Sequence, residues 1–432
     1  MRLAVFTSKY PARVSTFFER DMRTLIAAGV ELEIFPIYPL DADLWRYGLD
    51  ILSEAILPRA RVHHLPLGRS LWDARPWPLG QCATVMRAAA SILASAARFG
   101  LEPLSKSAYV IPKAWAWAAQ FPDHFDHVLA YWGNYAATCA YVFHRLTNRR
   151  IPFSIWLHAG TDLYFQPVFL RRKLLYADRI ITCCEFNRQF IEQRFADIAP
   201  ATGGKIHVCY HGLDLTAFPY EPDGRSQGRI VAVGTFAPDK GFDYLLRAAA
   251  ELTQAGRDIE VHLVGDGPEA PALRTLVGRL GLTNKVVFRG WLPFSEVRAA
   301  MRAATMLVHP SAGLGDGLPN VIREAMALGT PVIASEVAGI PEALDSGRCG
   351  LLVPTKDVHA LAAAIEILLG DATLRRSYAE RARRRTEDLF DLWRNGARLA
   401  DVLRATTRSA PGRNRHACVK LTELPGEGFT RC

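Results

Sequence analysis

Two carboxylates eight positions apart, Asp316 and Glu324, bracket the stretch of this chain whose residue types are best suited to chemistry. Gly317 and Pro319 lie between them, and an apolar run typical of a helix begins near Asn320. Either Pro319 stands at the first helical position, where its fixed φ is favourable, or Asn320 caps the helix. Both arrangements leave N–H groups and a positive dipole end that attract an anion. We therefore expect a diphosphate at the helix start, with one sugar hydrogen-bonded to Glu324 and a second bound by Asp316.

The run GDGLPNVIREAMALGTPVIAS at 315–335 resembles the Glu-x7-Glu signature of retaining glycosyltransferases with the GT-B fold, in glycosyltransferase family 4. The first glutamate of that signature is Asp316 here, which keeps the charge and shortens the side chain by one methylene group. An ordinary capped helix of a Rossmann-type domain is the open alternative. The resemblance implies that the segment binds a nucleotide-sugar donor, through Asp316, Gly317, Leu318, Pro319, Asn320, Val321 and Glu324.

Lys240 follows a predicted strand and a glycine turn, where its ammonium group is placed to contact a phosphate. In isolation, a surface lysine in a loop is the commoner case. The run RIVAVGTFAPDKGFDYLLR resembles the family's Gly-Arg-Leu…Lys-Gly loop, whose arginine and lysine grip the diphosphate. Gly234 and Lys240 match this loop, whereas Thr235 occupies the arginine position. Arg323 and Arg289 are the candidates to replace the missing charge.

A glycine pair, Gly265 and Gly267, follows the next predicted strand, and without a Cβ it lets the backbone approach a ligand closely. As a dinucleotide-binding fingerprint the run is incomplete, because Ala270 stands at the third glycine position. It matches the family's Gly-x-Gly-Pro loop near the nucleotide. The resemblance also implies that the main chain of the following strand pairs with the base, which adds Arg289 and Gly290 to the donor-binding residues.

In the first half of the chain, His158 lies at the end of a predicted strand, with Asp162 four residues on. A histidine at this edge of a parallel sheet can hydrogen-bond a sugar or polarise a leaving group, and a structural histidine is the alternative. The segment resembles the family's His-x-x-x-Asp region, which implies a catalytic His158 and an acceptor-side Asp162. The run YHGLDLTAF resembles an Asn-Gly-Val-Asp segment, with His211 in place of asparagine and with Gly212 and Asp214 as structural residues.

Near the start of the chain, SKYPARVSTFFERDM resembles a loop of the family's exopolysaccharide members of colanic-acid type. Their pattern is Pro-x-x-Ser-x-Thr-Phe, and Pro11, Thr16 and Phe17 correspond to it. The serine position is Val14, and Ser15 lies one residue later. The resemblance implies that Pro11, Ser15 and Thr16 face the acceptor.

The apolar runs of both halves predict parallel sheets. Short continuous runs of β-branched and aromatic residues alternate with helical patterns, as expected of strands buried on both faces. In the first half the predicted strands are 3–7, 31–37, 128–131, 153–157, 179–183 and 206–210. In the second half they are 229–233, 260–264, 286–288, 306–309, 331–334 and 351–353.

The chain is long enough, at 432 residues, for two sizeable domains. The strand pattern predicts an α/β protein in which two Rossmann-like parallel-sheet domains face each other across a cleft, and the resemblance implies that this is the GT-B fold. The predicted divisions are an acceptor-side domain at 1–219, a linker at 220–228, a nucleotide-sugar-binding domain at 229–386, a helix crossing back to the first domain at 387–408, and a disordered tail at 409–432.

The formal net charge of +9 is spread along the chain, which suits anionic substrates or an anionic membrane surface and does not indicate nucleic acid. The eight cysteines form no Cys-x-x-Cys pair and no zinc-type cluster, so we expect reduced thiols in a cytoplasmic protein without a bound metal. The N-terminus turns polar and basic after seven residues, unlike a signal peptide. The alanine-rich stretch 82–97 predicts a buried helix, not a membrane span.

Taken together with these features, the resemblance implies a retaining, metal-independent hexosyltransferase that needs no cofactor. It would move a hexose from a nucleoside-diphosphate sugar to a glycan or lipid-linked acceptor in cell-surface polysaccharide biosynthesis. The catalytic residues implied by the resemblance are His158, Lys240, Asp316 and Glu324. Two alternatives remain open, a GT-B nucleotide-sugar 2-epimerase and a non-catalytic scaffold of a polysaccharide assembly complex.

A peripheral contact with an anionic membrane is a separate hypothesis. Arg171, Arg172 and Lys173, with apolar neighbours on both sides, could form a basic amphipathic helix on the lipid surface. A helix with one solvated face is the alternative.

Overall fold

A computed structural model of the chain describes residues 1–11, 16–39, 59–73, 79–147 and 151–408. Strands alternate with helices throughout this part of the chain. The strands are β1 Arg2–Thr7, β2 Glu31–Pro36, β3 His127–Ala130, β4 Phe153–Leu157, β5 Arg179–Thr182, β6 Ile206–Val208, β7 Ser226–Val233, β8 Glu260–Val264, β9 Val286–Gly290, β10 Ala304–His309, β11 Val332–Ser335 and β12 Leu351–Val353.

Helices connect these strands and cover both sheets. They are α1 Thr16–Ala27, α2 Leu67–Asp73, α3 Leu79–Ala97, α4 Leu101–Gln120, α5 Tyr135–Leu146, α6 Leu170–Tyr176, α7 Glu185–Arg194, α8 Ala199–Thr202, α9 Phe242–Gln254, α10 Ala270–Arg279, α11 Phe294–Ala303, α12 Asn320–Leu328, α13 Ile340–Ala343, α14 Val358–Gly370, α15 Ala372–Leu389 and α16 Leu392–Arg408.

The strands form two six-stranded sheets, in the orders β2-β1-β3-β4-β5-β6 and β12-β11-β10-β7-β8-β9. All strand pairs within them are parallel. Strands such as β4 and β10 are buried along their whole length, because helices cover both faces of each sheet. The predicted α/β architecture, with two Rossmann-like sheets, is confirmed.

Helix α16 returns the chain to the N-terminal sheet. Leu399, Ala400 and Leu403 are buried in the same cluster as Leu3 and Phe18. The chain crosses where the backbone N–H of Leu213 donates to the Phe390 carbonyl at 2.6 Å and that of Leu392 donates to the Leu213 carbonyl at 3.0 Å. This crossing fixes where the second domain stands over the first.

Two predicted boundaries differ from the structure. The linker predicted at 220–228 ends earlier, because β7 already begins at Ser226. Gly228 has a φ of +72° and a Cβ there would lie 2.4 Å from the Asp258 carbonyl oxygen, so a glycine that suggests a turn serves instead as a kink within a strand. The crossing helix begins at Leu392, not at 387, because α15 continues to Leu389.

The helix predicted to be buried at 82–97 is instead amphipathic. In α3, Ala88, Ile92 and Ala96 are buried, whereas Met86 is 63% exposed. Alanine-rich composition hides this pattern, because alanine is tolerated on either face. Across the described part of the chain, no helix combines the length and the apolar composition that a membrane crossing requires.

The segment proposed for membrane contact packs into the core. Lys173 is fully buried, and its Nζ donates to the carbonyls of Gly133 at 2.6 Å and Asn134 at 3.0 Å. Leu170 and Leu174 are buried beside it. The structure therefore favours the alternative, in which α6 has one solvated face and no free apolar face. The predicted tail, 409–432, lies outside the described residues.

We predict that Gly396→Ala destabilises the protein, because a Cβ at Gly396 would lie 2.1 Å from Cβ of Thr24 on α1. Thr24 is stiff at χ1 and cannot give way, so the expected loss is about 1–3 kcal/mol in the free energy of unfolding. Gly278→Ala in α10 is the matched control, since no atom lies within 4 Å of a Cβ there. It should gain about 0.5–1 kcal/mol. Equal effects of the two substitutions in denaturant unfolding would contradict the docking of α16 on α1.

Candidate active site

A cavity of about 460 Å³ lies between the carboxyl ends of the two sheets. Ligands of parallel α/β sheets bind at this edge. The N-terminal domain contributes residues that follow β1, β3, β4, β5 and β6, together with Phe17 and Phe18 of α1. The C-terminal domain contributes the loop between β10 and α12. The two domains thus build one site.

Of the residues predicted from sequence, the cavity lining includes His158 and Asp162 on one side and the loop from Asp316 to Leu318 with Asn320 on the other. Gly317 makes the closest approach between the two sides. A Cβ there would lie 2.6 Å from the His158 carbonyl oxygen and 3.3 Å from Sγ of Cys183. Only glycine fits at this point of the loop.

Lys240 reaches this cavity through Asp316. Its Nζ lies 2.5 Å from Oδ1 of Asp316, and Nε2 of His309 lies 3.2 Å from Oδ2 of the same carboxylate. Burial alone would raise the pKa of Asp316, but the hydrogen bond from His309 and the charge of Lys240 hold it well below the usual range. Asp316 is therefore an anion, and Lys240 comes from the turn Pro238–Lys240 directly before α9.

The N-terminus of α12 has no side-chain cap. The helix begins at Asn320, and Pro319 precedes it with an extended backbone. Both alternatives from the sequence are wrong, because Pro319 lies outside the helix and Oδ1 of Asn320 accepts a hydrogen bond from Arg323 and not from the backbone. The first N–H groups of α12 remain available to an anion, which is the property that the sequence predicts for this position.

Glu324 is paired across the cleft. Its Oε1 accepts from Nη2 of Arg20, on α1 of the other domain, at 3.0 Å, and the two side chains are 5% and 12% exposed. The Arg20 guanidinium lies over the rings of Phe218 and Phe294, at 5.6 and 5.3 Å from their centroids. Sequence reasoning misses Arg20, because nothing in its local pattern separates it from a surface arginine.

His158 is held by aromatic neighbours, and its Nδ1 lies 3.7 Å from Oδ2 of Asp162, too far for a hydrogen bond. Its ring lies 4.4 Å from that of Trp132 and stacks on that of His211 at 5.1 Å. Among the described residues, neither Nδ1 nor Nε2 has a hydrogen-bond partner. The nearby Asp162 carboxylate is occupied by the backbone N–H groups of His158 at 2.8 Å and Asn134 at 2.9 Å. His158 is thus free to bind a ligand, whereas Asp162 holds the two loops together.

A second histidine at the cavity, His211, carries a buried carboxylate partner. Its Nδ1 lies 2.7 Å from Oδ2 of Asp21, which also accepts from the Tyr131 hydroxyl at 2.5 Å. Burial alone would lower the pKa of His211, but the charge and the hydrogen bond of the Asp21 carboxylate oppose this effect. The net result is a pKa raised from its ordinary value of 6.5 to about 9. His211 is therefore an imidazolium at neutral pH. The sequence indicates only its departure from asparagine, because Asp21 stands 190 positions away.

The remaining donor-binding predictions do not line the cavity. A Cβ at Gly265 would lie 2.0 Å from the Gly234 carbonyl oxygen, and one at Gly267 would lie 2.5 Å from that of Phe236. These glycines thus allow two loops of the domain to pack together, and this is the close approach that the structure assigns to them. The other residues in this group are Lys240, Thr235, Arg289, Gly290, Pro319, Val321 and Glu324.

The two arginines considered as replacements for the missing clamp charge do not line the cavity. Arg323 is fully buried and donates to the His211 carbonyl and to Asn320, so its guanidinium is already committed. Arg289 is exposed on the edge strand β9.

Of the residues predicted to face the acceptor near the N-terminus, the structure describes Pro11 and Thr16. Pro11 and Thr16 do not line the cavity, although their neighbours Lys9 and Phe17 do. Ser15 lies outside the described residues. Within the described ranges, no group of three or more His, Cys, Asp or Glu side chains is arranged to hold a metal ion.

Residues 227–371 match the model of a known family, glycosyl transferases group 1. Alpha-D-kanosaminyltransferase of Streptomyces kanamyceticus is 34% identical over 175 residues, which cover 40% of this chain and 45% of that protein. The colanic acid biosynthesis glycosyltransferase named WcaL in Escherichia coli K12 is 32% identical, over 46% of this chain and 51% of its own. The chain thus spans about half the length of these curated relatives.

The fold as a whole has counterparts among solved structures. Anabaena Alr3699/HepE in complex with UDP-glucose matches 94% of this chain and 99% of its own length, with a TM-score of 0.67 and 20% sequence identity. At this identity the likeness identifies the fold alone, and that fold is GT-B.

We predict that the Asp21–His211 pair stabilises the protein in a pH-dependent way. The folded pKa of about 9 lies above the unfolded value of 6.5, so the stabilisation is complete below pH 6.5 and is lost as the pH rises through 9. The shift corresponds to about 3 kcal/mol. The free energy of unfolding of His211→Asn should fall below that of wild type at pH 6, and the difference should shrink by about 3 kcal/mol between pH 6 and pH ~9.5.

His359→Asn is the control for this measurement, because the His359 side chain is 89% exposed. Its difference from wild type should stay flat across the same range. A His211→Asn difference that is equally flat would mean that His211 is neutral in the folded protein.

Proposed function

We propose, from the match of residues 227–371 to the model of glycosyl transferases group 1, that this chain transfers a hexose from a nucleoside-diphosphate sugar to a hydroxyl of a glycan or lipid-linked acceptor. The configuration at the anomeric carbon is retained, and the product belongs to cell-surface polysaccharide biosynthesis. The observation that carries the proposal is the uncapped N-terminus of α12, which faces His158 across the cavity with Lys240 beside it. The name of the Escherichia coli relative supports a polysaccharide product, and the UDP-glucose complex of the Anabaena protein supports a nucleotide-sugar donor.

The donor occupies the C-terminal side of the cavity in this proposal. Its diphosphate lies at the first N–H groups of α12, close to the ammonium group of Lys240. The ribose hydroxyls bind Glu324, one turn into the same helix, and the transferred sugar reaches Asp316. The nucleoside therefore extends from the helix start toward the Arg20 side of the cleft.

The reaction breaks the bond between the anomeric carbon and the β-phosphate oxygen and forms a bond from that carbon to the acceptor oxygen. The hydroxyl proton leaves with the departing diphosphate, on the same face of the sugar, so no protein nucleophile is required. Lys240 and the α12 dipole stabilise the charge that develops on the leaving group. His158, whose ring nitrogens have no hydrogen-bond partner among the described residues, hydrogen-bonds the transferred sugar.

The proposal needs neither a metal ion nor a cofactor, because Lys240 and the helix end supply positive charge at the diphosphate. We also propose a cytoplasmic location, on the grounds of the scattered cysteines.

We predict that Glu324 distinguishes ribose from its dideoxy analogue. Titration calorimetry with UDP, GDP and ADP identifies the nucleotide that wild type binds. Wild type should bind it about tenfold more tightly than the 2′,3′-dideoxy form, since hydrogen bonds to a charged carboxylate are worth about 1.5–3 kcal/mol. Glu324→Gln should bring this ratio toward one. Glu336→Gln, an exposed carboxylate of the same domain, should leave it unchanged. An unchanged affinity ratio in Glu324→Gln would show that Glu324 does not bind the ribose hydroxyls.

Lys240→Met should slow transfer more than it weakens donor binding, because charge on the diphosphate grows as the glycosidic bond breaks. We expect kcat to fall about 100-fold or more, with a smaller change in KM. Lys285→Met is the control, since Lys285 pairs with Asp258 on the surface. A Lys240→Met enzyme with full turnover would exclude this role.

Incubation with donor alone distinguishes transfer from epimerisation, because an epimerase converts the donor without an acceptor.

A further inference from the structure

The C-terminal domain provides one cation fewer for the diphosphate than the resemblance leads us to expect. Thr235 is exposed and uncharged at the arginine position. The guanidinium of Arg323 is committed to the His211 carbonyl and to Asn320. Lys240 is then the charged side chain that remains for the diphosphate in this part of the site, and it is paired with Asp316.

Arg20, from the opposite domain, provides a cation beside the residue proposed to bind the ribose. Its Nη2 lies 3.0 Å from Oε1 of Glu324, the residue proposed to bind the ribose. Its Nη1 is buried and has no hydrogen-bond partner among the described residues. An unsatisfied N–H donor on a buried guanidinium costs free energy unless a ligand accepts a hydrogen bond from it.

Helix α1 presents Arg20 to the cleft on the same face as Phe17. Residues three apart on a helix are neighbours, and Phe17 lines the cavity, with its ring 5.1 Å from that of His211 and 5.9 Å from that of His158. The rings of Phe218 and Phe294 hold the guanidinium in place. Arg20 thus lies one helical turn from a residue of the cavity lining and contacts Glu324.

We infer that Arg20 is a diphosphate-binding residue, whose guanidinium binds phosphate oxygens while the ribose hydroxyls replace it on Glu324. The inference rests on the proposed function and adds to it a ligand contact from the N-terminal domain. The 5′-phosphates are attached to the ribose that Glu324 holds, so they lie within reach of the same guanidinium. Arginine suits this role because its planar fork binds phosphate oxygens in pairs.

The partner exchange explains how a buried ion pair can stand in the donor site. Separating Arg20 from Glu324 without replacements would leave two buried charges unpaired. A nucleoside diphosphate provides replacements for both, with hydroxyl donors for the carboxylate and an anion for the guanidinium. Binding then brings the two domains onto one ligand.

The test is a double-mutant cycle on nucleotide affinity, measured by titration calorimetry with UDP, GDP and ADP. The variants are Arg20→Met, Glu324→Gln and the two combined, because methionine keeps the packing on the rings and removes the charge. We expect Arg20→Met to weaken binding of the preferred diphosphate about tenfold or more in both backgrounds, as loss of a charge-assisted contact would. Arg20→Lys should lie between wild type and Arg20→Met. Arg23→Met, an exposed arginine on the same helix, should bind like wild type.

Two results would overturn the inference. If Arg20→Met has no effect in the Glu324→Gln background, Arg20 acts only through Glu324; if Arg20→Met binds more tightly, Arg20 merely blocks the site. Absence of nucleotide binding in wild type would instead overturn the proposed function, and the inference with it. Arg20→Met could fail to fold because Glu324 loses its partner. In that case Arg20→Lys and the double variant still test whether Arg20 binds the diphosphate, because neither leaves an unpaired carboxylate.

Discussion

The contact between Gly317 and the end of β4 is the constraint on which the site depends. There is no room for a Cβ at Gly317, because the His158 carbonyl oxygen would lie 2.6 Å from it. The loop that carries Asp316 can therefore lie directly against the strand end that carries His158. A second contact secures the same arrangement, since Glu342 of the C-terminal domain accepts from the backbone N–H of Glu185 at 2.9 Å and from the Tyr210 hydroxyl at 2.5 Å. A carboxylate at the N-terminus of α7 is also favoured by the helix dipole.

Close packing of the domains buries charges, and each of them needs a partner. Asp316 has Lys240 and His309, Glu324 has Arg20, and Asp21 has His211. A buried carboxylate without such a partner costs several kcal/mol of stability, roughly as much as a large core truncation. The carboxylates at the cleft are thus each matched by a cationic or histidine partner.

The fold could be predicted from sequence because its signals are local. Continuous apolar runs mark the buried strands, and the alternation of strands with helices requires parallel sheets. The residues of the Asp316–Glu324 segment could be proposed for the same reason, since they lie within one loop and one helix. Arg20 could not, because its partner stands 304 positions away and its own surroundings on α1 resemble those of any amphipathic helix. Lys173 misled for a related reason: basic neighbours suggest a charged surface, yet its Nζ donates to carbonyls in the core.

The matched charges also bear on which ligand the site prefers. Lys240 is paired with Asp316 and Arg20 with Glu324, so a bare diphosphate must compete with two carboxylates for both cations. On the proposed assignment, an intact nucleotide sugar binds at a lower free-energy cost than a bare diphosphate. Its phosphates displace two carboxylates from their cations, and its ribose and transferred sugar offer hydroxyls to those carboxylates. Buried carboxylates keep hydrogen bonds and buried cations keep an anion only when the whole donor is present. Selectivity for the intact donor then follows from these two ion pairs, and the shorter side chain of Asp316, held against Lys240, is part of that pairing.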